Sequence, residues 1–137
     1  MRYKILIEGG MITAPKYGDA GYDLYALSYE YLNTGVYVVS TGIAVEIPRG
    51  YVGIIKDRSS QAVLDVTTIG GVIDQSYRGE IKVLIQDSYF GENAAFKTRL
   101  GKFAQLLVVP CYVEPLELAD ELSVTERGEK GFGSTGV

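Results

Sequence analysis

The 137-residue chain contains no histidine and no tryptophan, a single cysteine, Cys111, and four prolines. The missing histidine excludes the most chemistry. It removes the usual general base near neutral pH, the commonest metal ligand and every Ser-His or Cys-His nucleophile pair. Acid–base work is left to carboxylates, tyrosine and lysine. A lone cysteine excludes an internal disulfide and a cysteine-cage zinc site, so Cys111 reads as a small apolar residue in a reducing compartment. No run approaches the about 18 apolar residues of a membrane span, and the start MRYKILIEGG lacks the apolar core and cleavage site of a signal peptide. A soluble intracellular protein is expected. The net charge of -4 argues against a nucleic-acid-binding surface, which needs clustered Lys and Arg, although a local arginine cluster can still meet a small anion.

What is present favours short strands. Nearly half of the residues are apolar, enough for one well-cored domain and too few for two. Ten of the eleven tyrosines precede residue 90, among many Val, Ile, Thr and Gly residues. Alternation predicts strands over Lys4 to Glu8, Val36 to Ser40, Ile43 to Ile47, Tyr51 to Ile55, Lys82 to Gln86 and Phe103 to Val109. Close spacing with Gly, Pro, Asn or Asp between them predicts an all-β sandwich or barrel without parallel βαβ units. The one short helix is expected over Ser59 to Val66, capped by Ser59 or Ser60. Five of the twelve residues from Glu126 to Val137 are glycine or serine, which predicts a tail ordered only against something else.

Five segments carry polar groups where chemistry can use them. Gly71-Val72-Ile73-Asp74-Gln75-Ser76-Tyr77-Arg78-Gly79 lies between two strand patterns and reads as a β-hairpin. Asp74 is either a solvated turn residue or a carboxylate that holds and deprotonates a water; Tyr77 either packs or lies against a sugar or base. Arg58-Ser59-Ser60 joins an arginine fork and two hydroxyls at a helix start, a capped helix in the bland reading and a phosphate site in the functional one. The tail from Arg127 to Gly136 has phosphate-cradling glycines, hydroxyls and a stacking ring in Phe132, but it is not a Walker loop because it opens no helix. Asp23, in Ala20-Gly21-Tyr22-Asp23-Leu24, either bonds to backbone amides or positions a metal-bound water. Gln105 stands among apolar strand residues and needs partners, from a loop or from a ligand.

In this order the five segments resemble the motifs of the trimeric deoxyuridine triphosphatases (dUTPases), spread from about residue 18 to residue 136. Lys102-Phe103-Ala104-Gln105 and Arg127 through Gly133 are similar to some retroviral and phage members. The resemblance implies a distorted jelly roll or β-barrel of residues 1–125 and a glycine-rich arm, 126–137, exchanged between the subunits of a homotrimer. It implies hydrolysis of dUTP to dUMP and pyrophosphate, limiting uracil incorporation into DNA, with Mg²⁺ bridging phosphate oxygens. Asp74 is then the base. Gly71, Val72 and Ile73 read uracil with backbone groups, and Tyr77 rejects a 2'-hydroxyl. Arg58, Ser59, Ser60 and Gln105 hold phosphates, and Arg127, Gly133, Ser134 and Thr135 clamp them while Phe132 stacks on uracil. Asp23 supports the metal through water, with no direct protein ligand. The resemblance places the chain in cytoplasm or nucleus, or in a virion if retroviral, with no nucleic-acid or membrane partner.

Three positions depart from the family's pattern. Asp57 stands where a glycine or proline usually precedes the arginine, and a pairing with Arg58 or Lys56 is expected to absorb its charge. The stretch from Arg58 to Asp74 is about one residue short, with Gln61 in place of a common apolar residue. Leu100-Gly101-Lys102-Phe103 replaces Gly-Asp-Arg-Ile. Two other functions compete. A deoxycytidine triphosphate deaminase, alone or bifunctional, shares the fold but needs a glutamate where Asp74 stands. A nucleotide-gated module regulating a protein partner can coexist with catalysis.

Overall fold

A computed structural model describes residues 1–33, 35–89 and 101–129. Among the described residues, eleven strands and one helical turn run β1 (Arg2–Ile5), β2 (Ile12–Thr13), β3 (Tyr22–Tyr25), β4 (Ser28–Asn33), β5 (Val36–Ser40), β6 (Ile43–Glu46), β7 (Tyr51–Asp57), α1 (Ser59–Ala62), β8 (Val66–Ile69), β9 (Val72–Ile73), β10 (Lys82–Asp87) and β11 (Lys102–Pro110). The strands form three sheets of order β1-β6, β4-β5-β10-β8 and β2-β3-β11-β7-β9. All described pairings are antiparallel, and none of the sheets closes on itself. The jelly-roll expectation holds; the barrel expectation does not.

Alternation produces the two-layer packing. β5 and β10 bury every second residue, so Tyr37 and Val39 face inward beside Val83 and Ile85. The five-stranded sheet answers with Leu24, Ile55, Phe103 and Leu106, and all of these belong to one core cluster. Two half-apolar sheets can hide those faces only against each other. Among the described residues no helix is long and apolar enough to cross a membrane.

Several predicted elements move. The N-terminal strand starts and ends earlier than Lys4 to Glu8, because the amides of Leu6 and Ile7 both donate to the Gly42 carbonyl and break the ladder. Helix α1 is one turn, entered from Arg58 without a side-chain cap, so neither Ser59 nor Ser60 caps it. Asp65, at φ 60, turns the chain, and Val66 is already buried in β8. The expected hairpin around Asp74 is instead a loop between sheets. β9 pairs with β7, whereas Ile81 donates to Ile43 O and leads into β10 of the other sheet. After Pro110 the described chain has no strand, and Tyr112, Val113, Leu116, Leu118, Leu122 and Val124 are almost fully exposed.

Candidate active site

Two clusters emerge. The first lies where β3, β7 and β11 run side by side. Antiparallel pairing puts Gln105 opposite both Asp23 and Lys56, which brings three segments distant in sequence to one sheet end. Asp23, Arg58, Ser59 and Gln105 line a cavity of about 220 Å³ with Asp19, Ala20 and Gly21. A Cβ on Gly21 would sit 3.0 Å from Gln105 Oε1, so a side chain there would press on the glutamine. Gln105 Nε2 donates to the Asp57 carbonyl (3.1 Å), so the glutamine anchors the β7 end while lining the cavity.

Electrostatics in this cluster centre on Asp23. Its Oδ1 accepts from Arg58 Nη1 at 2.7 Å and its Oδ2 lies 2.8 Å from Lys102 Nζ. Hydrogen bonding to Asp23 raises the Lys102 pKa, against a smaller opposing effect of desolvation. One carboxylate thus holds two cations at the mouth of a polar cavity. Asp57 turns elsewhere: Oδ1 lies 3.7 Å from Lys56 Nζ, and Arg58 pairs with Asp23. The Lys56 pairing therefore absorbs the unusual charge. Ser60 is half-buried on α1 next to Ser59.

The second cluster is the loop after β9. Val72, Ile73, Asp74 and Tyr77 line a cavity of about 140 Å³ with Glu80 and Lys82. Gly71 sets the approach of β9: at φ 80 its carbonyl accepts from Ile55 N (2.7 Å), and a Cβ would lie 3.0 Å from Ile55 O. A side chain there would push β9 off β7. The Tyr77 amide donates to Asp74 O (3.0 Å), which closes a turn with the carboxylate of Asp74 exposed at its start. Arg78 fastens the turn by donating to the carbonyls of Gln75 and Tyr77. The Tyr77 hydroxyl donates to Glu80 O (2.9 Å), and a Cβ on Gly79 would fall 2.6 Å from Tyr77 Cζ. The ring therefore lies on the bare glycine.

The two clusters are apart in one chain. Ile73 pairs with Gly53, so Asp74 extends to the level of Val52, while Arg58 follows the opposite end of β7. The six steps from Val52 to Arg58 correspond to roughly 20 Å along the strand. A larger groove, about 420 Å³ along β1 and β6, holds none of the sequence-predicted residues.

Arg127 is exposed in the segment after β11; Phe132, Gly133, Ser134 and Thr135 lie outside the described residues. Sequence reasoning did not assign Lys102 or Glu80 to the site. Lys102 had no local signal, because strict alternation puts residues 102 and 105 on opposite faces; the register shift between Lys102 and Ala104 accompanies its pairing with Asp23. Glu80 had none, since its partners come from residues 40–42.

Among the described residues no group of three His, Cys, Asp or Glu side chains could hold a metal ion. The donor set at the first cluster, carboxylates beside an arginine and a hydroxyl, suits a cation carried by phosphate oxygens and waters rather than a protein cage.

The dUTPase family model matches residues 8–136. Deoxyuridine 5'-triphosphate nucleotidohydrolase of Ictalurid herpesvirus 1 is 41% identical over 127 residues, 91% of this chain and 63% of its own length. The chain thus spans less than two thirds of that viral relative. The enzyme of the same name from Trichodesmium erythraeum is 36% identical over 144 residues, covering 100% of both chains. Among solved structures, the dUTPase of Staphylococcus bacteriophage 80alpha with dUpNHpp superposes with a TM-score of 0.83 at 30% identity, over 99% of this chain and 98% of that one. With a family match over nearly its whole length and a jelly-roll-like fold shared with a phage dUTPase, this chain belongs to the dUTPase family.

Proposed function

We propose that the chain hydrolyses dUTP to dUMP and pyrophosphate at a site shared between subunits, with Asp74 as the base. Membership of the dUTPase family supports dUTP as the substrate. The single observation that carries the composite site is the separation of the two clusters. Roughly 20 Å along β7 is longer than a triphosphate, whereas attack requires the water within about 3–3.5 Å of phosphorus. Asp74 of one subunit and Arg58, Ser59, Ser60 and Gln105 of another can meet on one nucleotide only in an oligomer, and the family resemblance makes that oligomer a homotrimer. The apolar residues exposed between Cys111 and Val124 support the same reading, since they need a neighbour to cover them.

In the proposed reaction Asp74 accepts a proton from water as its oxygen attacks the α-phosphorus. The bond from that phosphorus to the α–β bridging oxygen breaks, and pyrophosphate leaves. Arg58 supplies charge-assisted bonds to phosphate oxygens, and Asp23 keeps that guanidinium aimed when no nucleotide is present. Gly71, Val72 and Ile73 offer backbone groups to the uracil edge, where cytosine would leave bonds unmade. Tyr77 stands where a ribose 2'-hydroxyl would go. Residues 126–137, with Arg127, Phe132, Gly133, Ser134 and Thr135, act as an arm that closes a neighbour's site. Asp23 would hold Mg²⁺ indirectly, through the ion's waters, and the ion would supply neutralisation of phosphate charge.

The test is a panel of dUTP, dCTP, dTTP and UTP with Mg²⁺, read for pyrophosphate and ammonia. Pyrophosphate from dUTP well above the other three is expected. Ammonia from dCTP, or no turnover of dUTP, overturns the reading.

A further inference from the structure

The sugar-facing ring of Tyr77 is held at one point by hydrogen bonding, through Glu80. The carbonyl of Glu80 accepts from the Tyr77 hydroxyl at 2.9 Å. The carboxylate of the same residue points the other way and is fixed in the corner between β5 and β6. There Oε1 accepts from Ser40 Oγ and from the Gly42 amide (2.8 Å), and Oε2 lies 3.8 Å from Lys82 Nζ. Its side chain is 14% exposed. Charge-assisted bonds in a mostly dry setting are the strong kind. Burial opposes ionisation of Glu80, but the bonds from Ser40 and Gly42, together with the Lys82 charge and the Thr41 backbone, lower its pKa.

We propose that Glu80 is a positioning residue for sugar discrimination: its carboxylate locks residues 79–80 onto the Ser40–Gly42 corner, and its carbonyl thereby fixes the Tyr77 ring against the deoxyribose. This rests on the reading of Tyr77 as the group that excludes a 2'-hydroxyl. The ring has little else to hold it, being 44% exposed and seated on Gly79, which has no side chain to grip it. The backbone one residue further on is secured independently. Thr41 Oγ1 donates to Ile81 O (2.6 Å) and Ile81 N donates to Ile43 O (2.8 Å). Removing the carboxylate therefore loosens the Tyr77–Glu80 stretch and leaves the strand register in place.

Glu80→Ala, Glu80→Gln and Ser40→Ala are compared with the unaltered protein by kcat/KM for dUTP and for UTP. In Glu80→Ala the ratio of dUTP to UTP is expected to fall about tenfold or more, because displacement of a positioning group by even an ångström is costly. Glu80→Gln, whose amide oxygen can still accept from Ser40 and Gly42, is expected to restore most of the ratio. Ser40→Ala, which leaves Glu80 intact, is expected to lower it by a smaller factor. If Glu80→Ala or Ser40→Ala slows both nucleotides equally and leaves the ratio unchanged, the residue is merely structural and the proposal fails. Should Glu80→Ala not fold, Ser40→Ala alone decides. Failure of the unaltered protein to hydrolyse dUTP refutes the functional reading instead, so the two failures are distinguishable.

Discussion

The Asp23–Arg58 cluster and the Asp74–Tyr77 loop are built by different physics. The first is built from charge: two cations on one carboxylate, at 2.7 and 2.8 Å, with Gln105 pinned to the backbone. The second is built from backbone bonds, a bare glycine and one aromatic hydroxyl. Cationic side chains suit a triphosphate, whose charge is its main feature. A fixed backbone edge and a flat ring suit a base and a sugar, which must be distinguished by shape and hydrogen-bonding pattern. Since the two clusters sit at opposite ends of β7, each half can be disabled without touching the other.

The most severe break of that contrast is expected from Asp74→Asn. The amide cannot accept the proton of water, so kcat falls by about 10³-fold or more while KM moves little. Nucleotide binding by calorimetry beside steady-state kinetics checks this, and an active variant would place the base elsewhere. Arg58→Ala attacks the other half. Loss of charge-assisted bonds of about 1.5–3 kcal/mol raises KM for dUTP by about 10- to 150-fold. Mixing the Asp74→Asn and Arg58→Ala proteins by refolding them together sharpens the comparison. If each site takes its loop and its arginine from different subunits, about a quarter of the sites in random mixtures are intact, and activity reappears from two weak parents. A site contained in one chain gives no such recovery.

The smallest effect concerns stability. The pKa of Glu80 is lowered from its usual value of 4.5. A group shifted in this sense stabilises the fold above its unfolded pKa and loses that contribution as pH falls through the lower, folded value. Urea midpoints followed from neutral pH to about pH 3 are therefore expected to drop more steeply for the unaltered protein than for Glu80→Gln. Parallel curves would show that the carboxylate contributes nothing there.

Much of this was legible in the sequence where a strand alternates against the core. Val36–Ser40 has the bounds that its pattern predicts, and Lys82 and Lys102 open strands within a residue of expectation. β4 and β8 were missed because they are edge strands, half-dressed in polar residues, whose alternation hides no continuous apolar face. Helix α1 was overextended because Gln61, Ala62, Val63 and Leu64 are compatible with a helix, whereas Asp65 takes a positive φ in the turn into β8. At the site, residue types marked Asp23, Arg58, Ser59 and Gln105, and pairing across β3, β7 and β11 brings them together. The roles of Lys102 and Glu80 depend on partners 79 and 38 to 40 positions away in the chain, and no local pattern encodes such contacts.

The contact between Tyr77 and Gly79 also restricts how this protein can change. Replacing Gly79 by any other residue introduces a Cβ 2.6 Å from Tyr77 Cζ, so the ring has to leave its seat although Tyr77 itself is untouched. A change at codon 79 therefore displaces the ring without altering codon 77, and under the role proposed for Tyr77 it is expected to relax sugar preference.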